Sequence, residues 1–244
     1  MRDQDRNREV YAEKGGIDFS DNSWNGFSPT VLFFEEVKRR ELVKSLHLSG
    51  ILYADMRKIR ILEIGCGWGH TLRMFVDLGA LPGNCFGVDL NKHFIEKARE
   101  INPGMHFNTA DASALEFDTR SFDIVCQFYA LSSILDQNVR KKITAEMIRV
   151  IKKDGFIIWE DAASRRDVFY YKKEGRKILR YQGIPKCEIQ SLFPGTMLKT
   201  RKTSLSNLIS YGLRGTGGYS WCIAEMFNAF PVFRRSLHCI IRIL

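Results

Sequence analysis

The stretch Arg60-Ile61-Leu62-Glu63-Ile64-Gly65-Cys66-Gly67-Trp68-Gly69-His70 decides how this chain is read. An apolar run ends in an acid, three glycines follow at alternate positions, and the spacing from Thr71 to Leu78 predicts a helix. Glycine lets the backbone turn sharply and lets a ligand approach it closely. The first turn of the helix behind it offers N–H groups with no partner inside the helix. A strand, a glycine turn and a helix therefore make either a ligand cradle or an ordinary tight turn. Two residues narrow the choice of ligand. A dinucleotide loop of the form GxGxxG needs glycine where His70 stands. Glu63 would repel a pyrophosphate, whereas it suits the ammonium of an amino-acid tail.

Outward from this turn, strands and helices alternate. Residues Pro29 to Leu46 read as a helix, with Ser28 and Pro29 as its start. Strands are predicted at Arg60–Ile64, Cys85–Val88, Met105–Thr109, Phe122–Phe128 and Phe156–Trp159. Helices fall at Lys92–Ile101 and Asn138–Ile151, with Asp154-Gly155 as the turn after the second. This alternation implies βαβ units with a parallel sheet. Fully apolar runs such as Ile124-Val125-Cys126 fit strands covered by helices on both faces. Further on, a helix is expected at Lys186–Leu192 and strands at Met197–Leu205 and Leu237–Leu244. The aromatic, glycine-broken stretch between those strands reads as a helical cap inserted at about 206–235.

Three further elements carry chemistry. Asp89, with Leu90 behind it, ends the second strand, where a carboxylate either accepts both ribose hydroxyls or caps the next helix. Asp111 with Ala112 follows the third strand and either binds an adenine edge or forms an Asx turn. The fourth strand delivers Gln127, Phe128 and Tyr129 to the carboxyl edge of the sheet, where open α/β folds bind ligands. Asp123 lies at the opposite end and reads as structural.

These four elements, in this order and spacing, resemble the class I S-adenosylmethionine (SAM)-dependent methyltransferases over Arg60 to Asp161. The resemblance implies a Rossmann-like α/β fold, with a seven-stranded, mostly parallel sheet whose last strand is antiparallel. It implies SAM as cofactor, held by Glu63 at the methionine end, Gly65, Cys66, Gly67, Trp68 and Gly69 in the turn, Asp89 and Leu90 at the ribose, Asp111 and Ala112 at the adenine, and Gln127 beside them. Segments such as Leu131-Ser132-Ser133-Ile134-Leu135-Asp136 and Leu192-Phe193-Pro194-Gly195 are similar to a bacterial subgroup associated with surface-glycan or secondary-metabolite pathways. That subgroup has an aromatic where this chain has Glu160.

The expected activity is methyl transfer to a small-molecule or glycan acceptor, on oxygen. A hydroxyl acceptor needs a base, and Asp161 and Glu160 are the candidates, with helix capping or a solvated loop as the alternative for Asp161. Trp24, Phe128 and Tyr129 are candidates for the acceptor pocket; Trp159 could wall it too, although core packing is the commoner role for such a residue. His238 reads as a packed or surface histidine. Residues 1–27 form an arm or lid, and 28–244 the methyltransferase domain.

The bulk composition fits these readings. A chain of 244 residues with 45% hydrophobic residues suits one α/β domain with a full core. The six cysteines show neither CxxC spacing nor a clustered histidine, so no metal site is expected and a reducing cytoplasm suits them. The charged amino terminus has no apolar signal region. The net charge is +9, and Arg165–Lys202 alone holds eleven Lys or Arg against three acids. That run is either a solvated face or a surface meeting an anion, such as an anionic or lipid-linked acceptor. Two other functions remain open: an RNA methyltransferase using this run, though regularly placed stacking aromatics are few, and a non-catalytic SAM-binding partner protein.

Overall fold

A computed structural model describes residues 29–51, 55–163, 167–171, 177–205, 223, 225–226, 228–230 and 234–242. In chain order the elements are α1 (Pro29–Ser49), β1 (Ile61–Ile64), α2 (His70–Asp77), β2 (Cys85–Asp89), α3 (Lys92–Ile101), β3 (His106–Thr109), β4 (Phe122–Phe128), α4 (Gln137–Val150), β5 (Ile151–Ala162), β6 (Asp167–Tyr171), β7 (Lys177–Gln182), α5 (Lys186–Leu192), β8 (Met197–Leu205) and β9 (Arg234–Arg242). Seven strands form one sheet in the order β3-β2-β1-β4-β5-β9-β8. The β1–β5 pairs are parallel, and β9 runs antiparallel to both of its neighbours. The chain thus has the expected Rossmann-like architecture.

Strand periodicity divides the core into two layers. On one face, Leu42 and Leu46 of α1, Leu72 and Phe75 of α2 and Ile95 of α3 pack on Ile61, Ile124 and Ile158. On the other, Ile143 and Met147 of α4 and Ile189 of α5 pack on Leu62, Val125 and Ile157. Each such aliphatic side chain contributes about 1.5–3 kcal/mol by leaving water. Trp159 lies wholly inside this second layer, edge-on to Phe193, so it serves the core and not an acceptor pocket. Asp123 is structural, as expected: it accepts from the Arg60 N–H and pairs with Lys152.

Several elements depart from expectation. β5 is twelve residues long, and Asp154-Gly155 lies inside it. The pairing with β4 jumps from Phe122↔Ile151 to Ile124↔Phe156, so the surplus residues bulge out. Asp154 takes a left-handed φ of 62° at that bulge, which Asp tolerates better than most residues. The basic run contains an antiparallel hairpin, β6–β7, that the sequence reading missed. Its base is held by the Ile184 N–H on the Ala162 carbonyl. The side chains of 164–181, where much of the basic run falls, lie outside the described residues. β9 begins three residues before the expected Leu237. Trp24, the 1–27 arm and most of the 206–235 cap also lie outside them; Glu225, within the cap, pairs with Arg40 of α1 at 2.8 Å.

Two arginines, Arg140 buried and Arg99 exposed, tie neighbouring elements together. Arg140 of α4 is 1% exposed, pairs with Glu188 of α5 and donates to the carbonyls of Ile134 and Gln182. Arg99 of α3 donates to the Phe107 carbonyl of edge strand β3.

Candidate active site

The β1–α2 turn is built by the three glycines, with φ of 66°, 51° and 78° at Gly65, Gly67 and Gly69. Gly65 and Gly67 show why glycine is needed. A Cβ on Gly65 would stand 2.5 Å from the Ala130 Cβ, whereas one on Gly67 would point into open space. Gly65 is therefore a packing requirement, and Gly67 leaves backbone open to a ligand. The turn is anchored by the Gly65 and Cys66 N–H groups on the Val88 carbonyl. Cys66 is a buried free thiol. Trp68 lies edge-on to Phe94 of α3.

Asp89 ties this turn to the end of β2. Its Oδ2 accepts from the Gly67 N–H at 3.0 Å and its Oδ1 from the Asn91 N–H at 2.9 Å. Asn91, not Asp89, caps α3. Burial raises the Asp89 carboxyl above its ordinary value, against the pull of the backbone N–H groups. Asn102, which the sequence reading passed over, braces the turn from behind: its amide donates to the Trp68 carbonyl while Arg73 donates to it. Its only sequence signal is its place at the end of α3, before Pro103. Asp111 forms the Asx turn, accepting from the Ser113 N–H at 2.8 Å. Ala112 packs beside it at the rim of the second core layer.

Glu63 is 3% exposed. Burial pushes its carboxyl up to about 8, against a hydrogen bond from Thr71 and the attraction of Lys38. Its Oε2 has no hydrogen-bond partner among the described residues. An unpaired buried carboxylate oxygen costs about 1–3 kcal/mol, so it fits a site awaiting a cationic donor. Together with the open backbone at Gly67 and Asp89 on the adjoining strand, this donor set suits SAM: ammonium at Glu63 and ribose at Asp89. Lys38 of α1 also faces this space, within electrostatic reach of Glu63 and Glu160, and lies 6.0 Å from the Phe128 ring.

The end of β4 is enclosed by its own loop. Gln127 is wholly buried; its Oε1 accepts from the Ala130 and Leu131 N–H groups and its amide donates to the Glu160 carbonyl. Both ends of its side chain thus bind within the protein, to the loop after β4 and to β5. Phe128 is buried, whereas Tyr129 is 40% exposed with a left-handed φ of 59°.

Glu160 and Asp161, adjacent on β5, point to opposite faces. Asp161 lies under the 131–133 turn, accepting from the Ser132 N–H at 3.0 Å, and burial pushes it up to about 6. It is neither solvated nor a cap on a regular helix. Glu160 faces α1 and is 1% exposed. Its Oε1 accepts from the Tyr129 hydroxyl at 2.9 Å and from Thr203 at 3.3 Å, and its Oε2 lies 3.0 Å from His238 Nδ1. Nδ1 carries the proton, since a carboxylate can only accept. His238 Nε2 lies 2.6 Å from Ser45 of α1. Burial would raise Glu160, but the hydrogen bond and charge of His238, the Tyr129 hydroxyl and Lys38 hold it below its ordinary value of 4.5.

Comparison with known proteins agrees with this architecture. Residues 61–155 match the family model described as a methyltransferase domain. Over 113 residues the chain is 34% identical to an uncharacterized methyltransferase, YcgJ, of Bacillus subtilis (strain 168), covering 44% of this chain and 42% of that one. It is 28% identical over 118 residues to phthiotriol/phenolphthiotriol dimycocerosates methyltransferase 1 of Mycobacterium ulcerans (strain Agy99), covering 48% and 42%. The match thus spans less than half the length of these curated relatives. A crystal structure of a SAM-dependent methyltransferase from Methanosarcina mazei superposes with a TM-score of 0.58 at 18% identity, over 76% of this chain and 92% of that one. The sheet order and this likeness define a class I methyltransferase fold.

Proposed function

We propose that the chain is a SAM-dependent methyltransferase acting on a hydroxyl of a small-molecule or glycan acceptor. The observation that carries this is Glu63: a buried carboxylate oxygen with no hydrogen-bond partner among the described residues, beside a glycine turn pinned to the next strand's carboxylate. Glu63 would hold the ammonium, Asp89 the ribose, and Asp111 with Ala112 the adenine edge. SAM supplies, when bound, a methyl group on an already activated leaving group. The protein's task is then to align the acceptor and take its proton; alignment is worth roughly 7–11 kcal/mol. Phe128 and Tyr129 would flank the acceptor at the carboxyl edge of the sheet. Of the two carboxylates on β5, Glu160 shares the α1 face with Glu63. The basic excess of the chain, and a relative named for a lipid-type acceptor, support an anionic or lipid-linked acceptor.

Calorimetry with S-adenosylhomocysteine tests the cofactor half. The wild type binds, and Glu63→Gln weakens binding at least tenfold. Tight binding of NAD, or equal binding by the Gln variant, rejects the assignment. Release of S-adenosylhomocysteine from SAM across an acceptor panel tests catalysis; binding without turnover across glycans, phenols and lipid-linked alcohols would favour a SAM-binding partner protein.

A further inference from the structure

We propose that Lys38 of α1 binds the carboxylate of the cofactor's amino-acid tail, so that Glu63 and Lys38 together clamp both charges of one zwitterion. This rests on the methyltransferase reading above. The ammonium and the carboxylate of an α-amino acid hang from a single carbon. A site that holds the first on Glu63 must therefore meet the second close by. Carboxylates alone cannot do so, and both Glu35 and Asp89 add negative charge around Glu63. Lys38 brings the opposite sign. Its charge reaches Glu63 at the end of β1 and His70 at the head of α2. It therefore stands across from the glycine turn, which joins those two residues. The head of α2, where Gly69 offers no side-chain cap, also favours an anion near His70.

The rest of α1 puts Lys38 there. Leu42 and Leu46 are wholly buried in the first core layer, while Ser45 meets His238 and Glu41 pairs with Arg201. Lys38 lies one helical turn before Leu42 and so shares its face. Its side chain is 16% exposed, and its Nζ lies 6.0 Å from the centre of the Phe128 ring, at the limit of a cation–π contact. Nζ donates to Glu35 Oε1 at 3.0 Å, the one hydrogen bond it makes among the described residues. An ammonium has three N–H bonds to give. Burial would lower the Lys38 ammonium, but Glu35, Glu63 and Glu160 hold it above its ordinary value of 10.5. A charge kept this far from water, with donors to spare, is suited to an arriving anion.

A lysine that merely offset the surrounding carboxylates would have the opposite effect on binding. It would compete with the incoming ammonium for Glu63, and its removal would tighten the cofactor. A lysine that receives the tail carboxylate loosens the cofactor when removed, and does so only for ligands that carry the carboxylate. The sign of the change therefore separates the two roles.

Calorimetry with three ligands tests this without turnover: S-adenosylhomocysteine, its decarboxylated analogue, which keeps the ammonium, and methylthioadenosine, which has no tail. The wild type should prefer S-adenosylhomocysteine to the decarboxylated analogue by about tenfold or more, the worth of one charge-assisted hydrogen bond. Lys38→Gln should lose about tenfold or more in affinity for S-adenosylhomocysteine by the same reasoning. It should bind the decarboxylated analogue as well as the wild type does, or better, and methylthioadenosine equally well. Lys38→Arg should keep most of the wild-type preference, whereas Glu63→Gln should weaken both ligands that carry the ammonium. The proposal is overturned if Lys38→Gln weakens all three ligands alike, or binds S-adenosylhomocysteine unchanged or more tightly. It is also overturned if the wild type shows no preference for the carboxylate. Should Lys38→Gln not fold, the wild-type preference and its retention in Lys38→Arg decide the matter. If neither S-adenosylhomocysteine nor methylthioadenosine binds the wild type, the methyltransferase reading itself falls; if both bind and the Lys38 effects are absent, the carboxylate clamp alone falls.

Discussion

Glu63 answers to two opposed demands. Its raised carboxyl means that the folded protein holds a proton which the unfolded chain has lost, between the ordinary value of 4.5 and about 8. By linkage, its contribution to stability falls as pH climbs through that window. Glu63→Gln removes the liability, so the cofactor-free variant should melt several degrees above wild type at pH 8, and at nearly the same temperature at pH 4.5. Differential scanning calorimetry at the two values checks this, and equal melting at pH 8 would refute it. Gly67 offers a second test at this scale. With open space at its Cβ position, Gly67→Ala should fold at a loss of roughly 1–2 kcal/mol from φ alone, while S-adenosylhomocysteine binding drops sharply. Gly65→Ala adds a clash with Ala130 and should lose more stability, measurable by urea titration. These residues were legible in the sequence because their partners are local: Glu63, the glycines and Asp89 follow one strand–turn–helix rhythm. Ser45 and His238 were not, because 193 residues separate them and only the antiparallel last strand brings them together. The hydrogen bonds of Gln127 to its own loop were hidden for a related reason: a polar residue at a strand end looks the same whether it faces a ligand or shapes its own loop.

Among the elements, those with clear periodicity were predicted within a few residues: α2, α3, β4, α4, α5 and β8. The start of β5 and the hairpin escaped for physical reasons. A bulge hides a strand's true length, because Asp154-Gly155 carries turn chemistry inside a paired segment. The sequences of β6 and β7 lack a polar/apolar alternation, and their pairing slips between Val168 and Phe169. Helix α4 is joined to α5 and the end of β7 through Arg140, a charge nearly absent from the surface. Removing one partner of a buried pair typically costs about 3–5 kcal/mol. Arg140→Ala should therefore lower the urea midpoint markedly, and Glu188→Gln should cost less because it keeps a hydrogen-bond acceptor. A surface-like change below 0.5 kcal/mol in Arg140→Ala would show that the pair is not holding the two helices together.

Across the whole molecule, the two faces of one sheet do different work. The α4–α5 face is closed by apolar packing and the Arg140 pair. The α1 face carries an ionisable set, Glu63, Glu160, His238 and Lys38, at the carboxyl edge of the strands. The sheet architecture and the glycine turn with its tie to Asp89 were readable in the sequence, since each is encoded by segments of ten residues or so. The buried cluster around Glu160 was not, because it is assembled from α1, β5, β8 and β9 together. One contact described above also has a meaning in time. Asp89 receives the glycine turn through Gly67 and the head of α3 through Asn91, while its own carbonyl receives Ala110. Three loops thus meet at one residue, in addition to the turn's anchors on Val88 and Asn102. If the proposed cofactor docks its nucleoside end at this edge, the loops should respond together, and the fluorescence of Trp68 on the turn should report its arrival as a single exponential; several phases would show that they move separately.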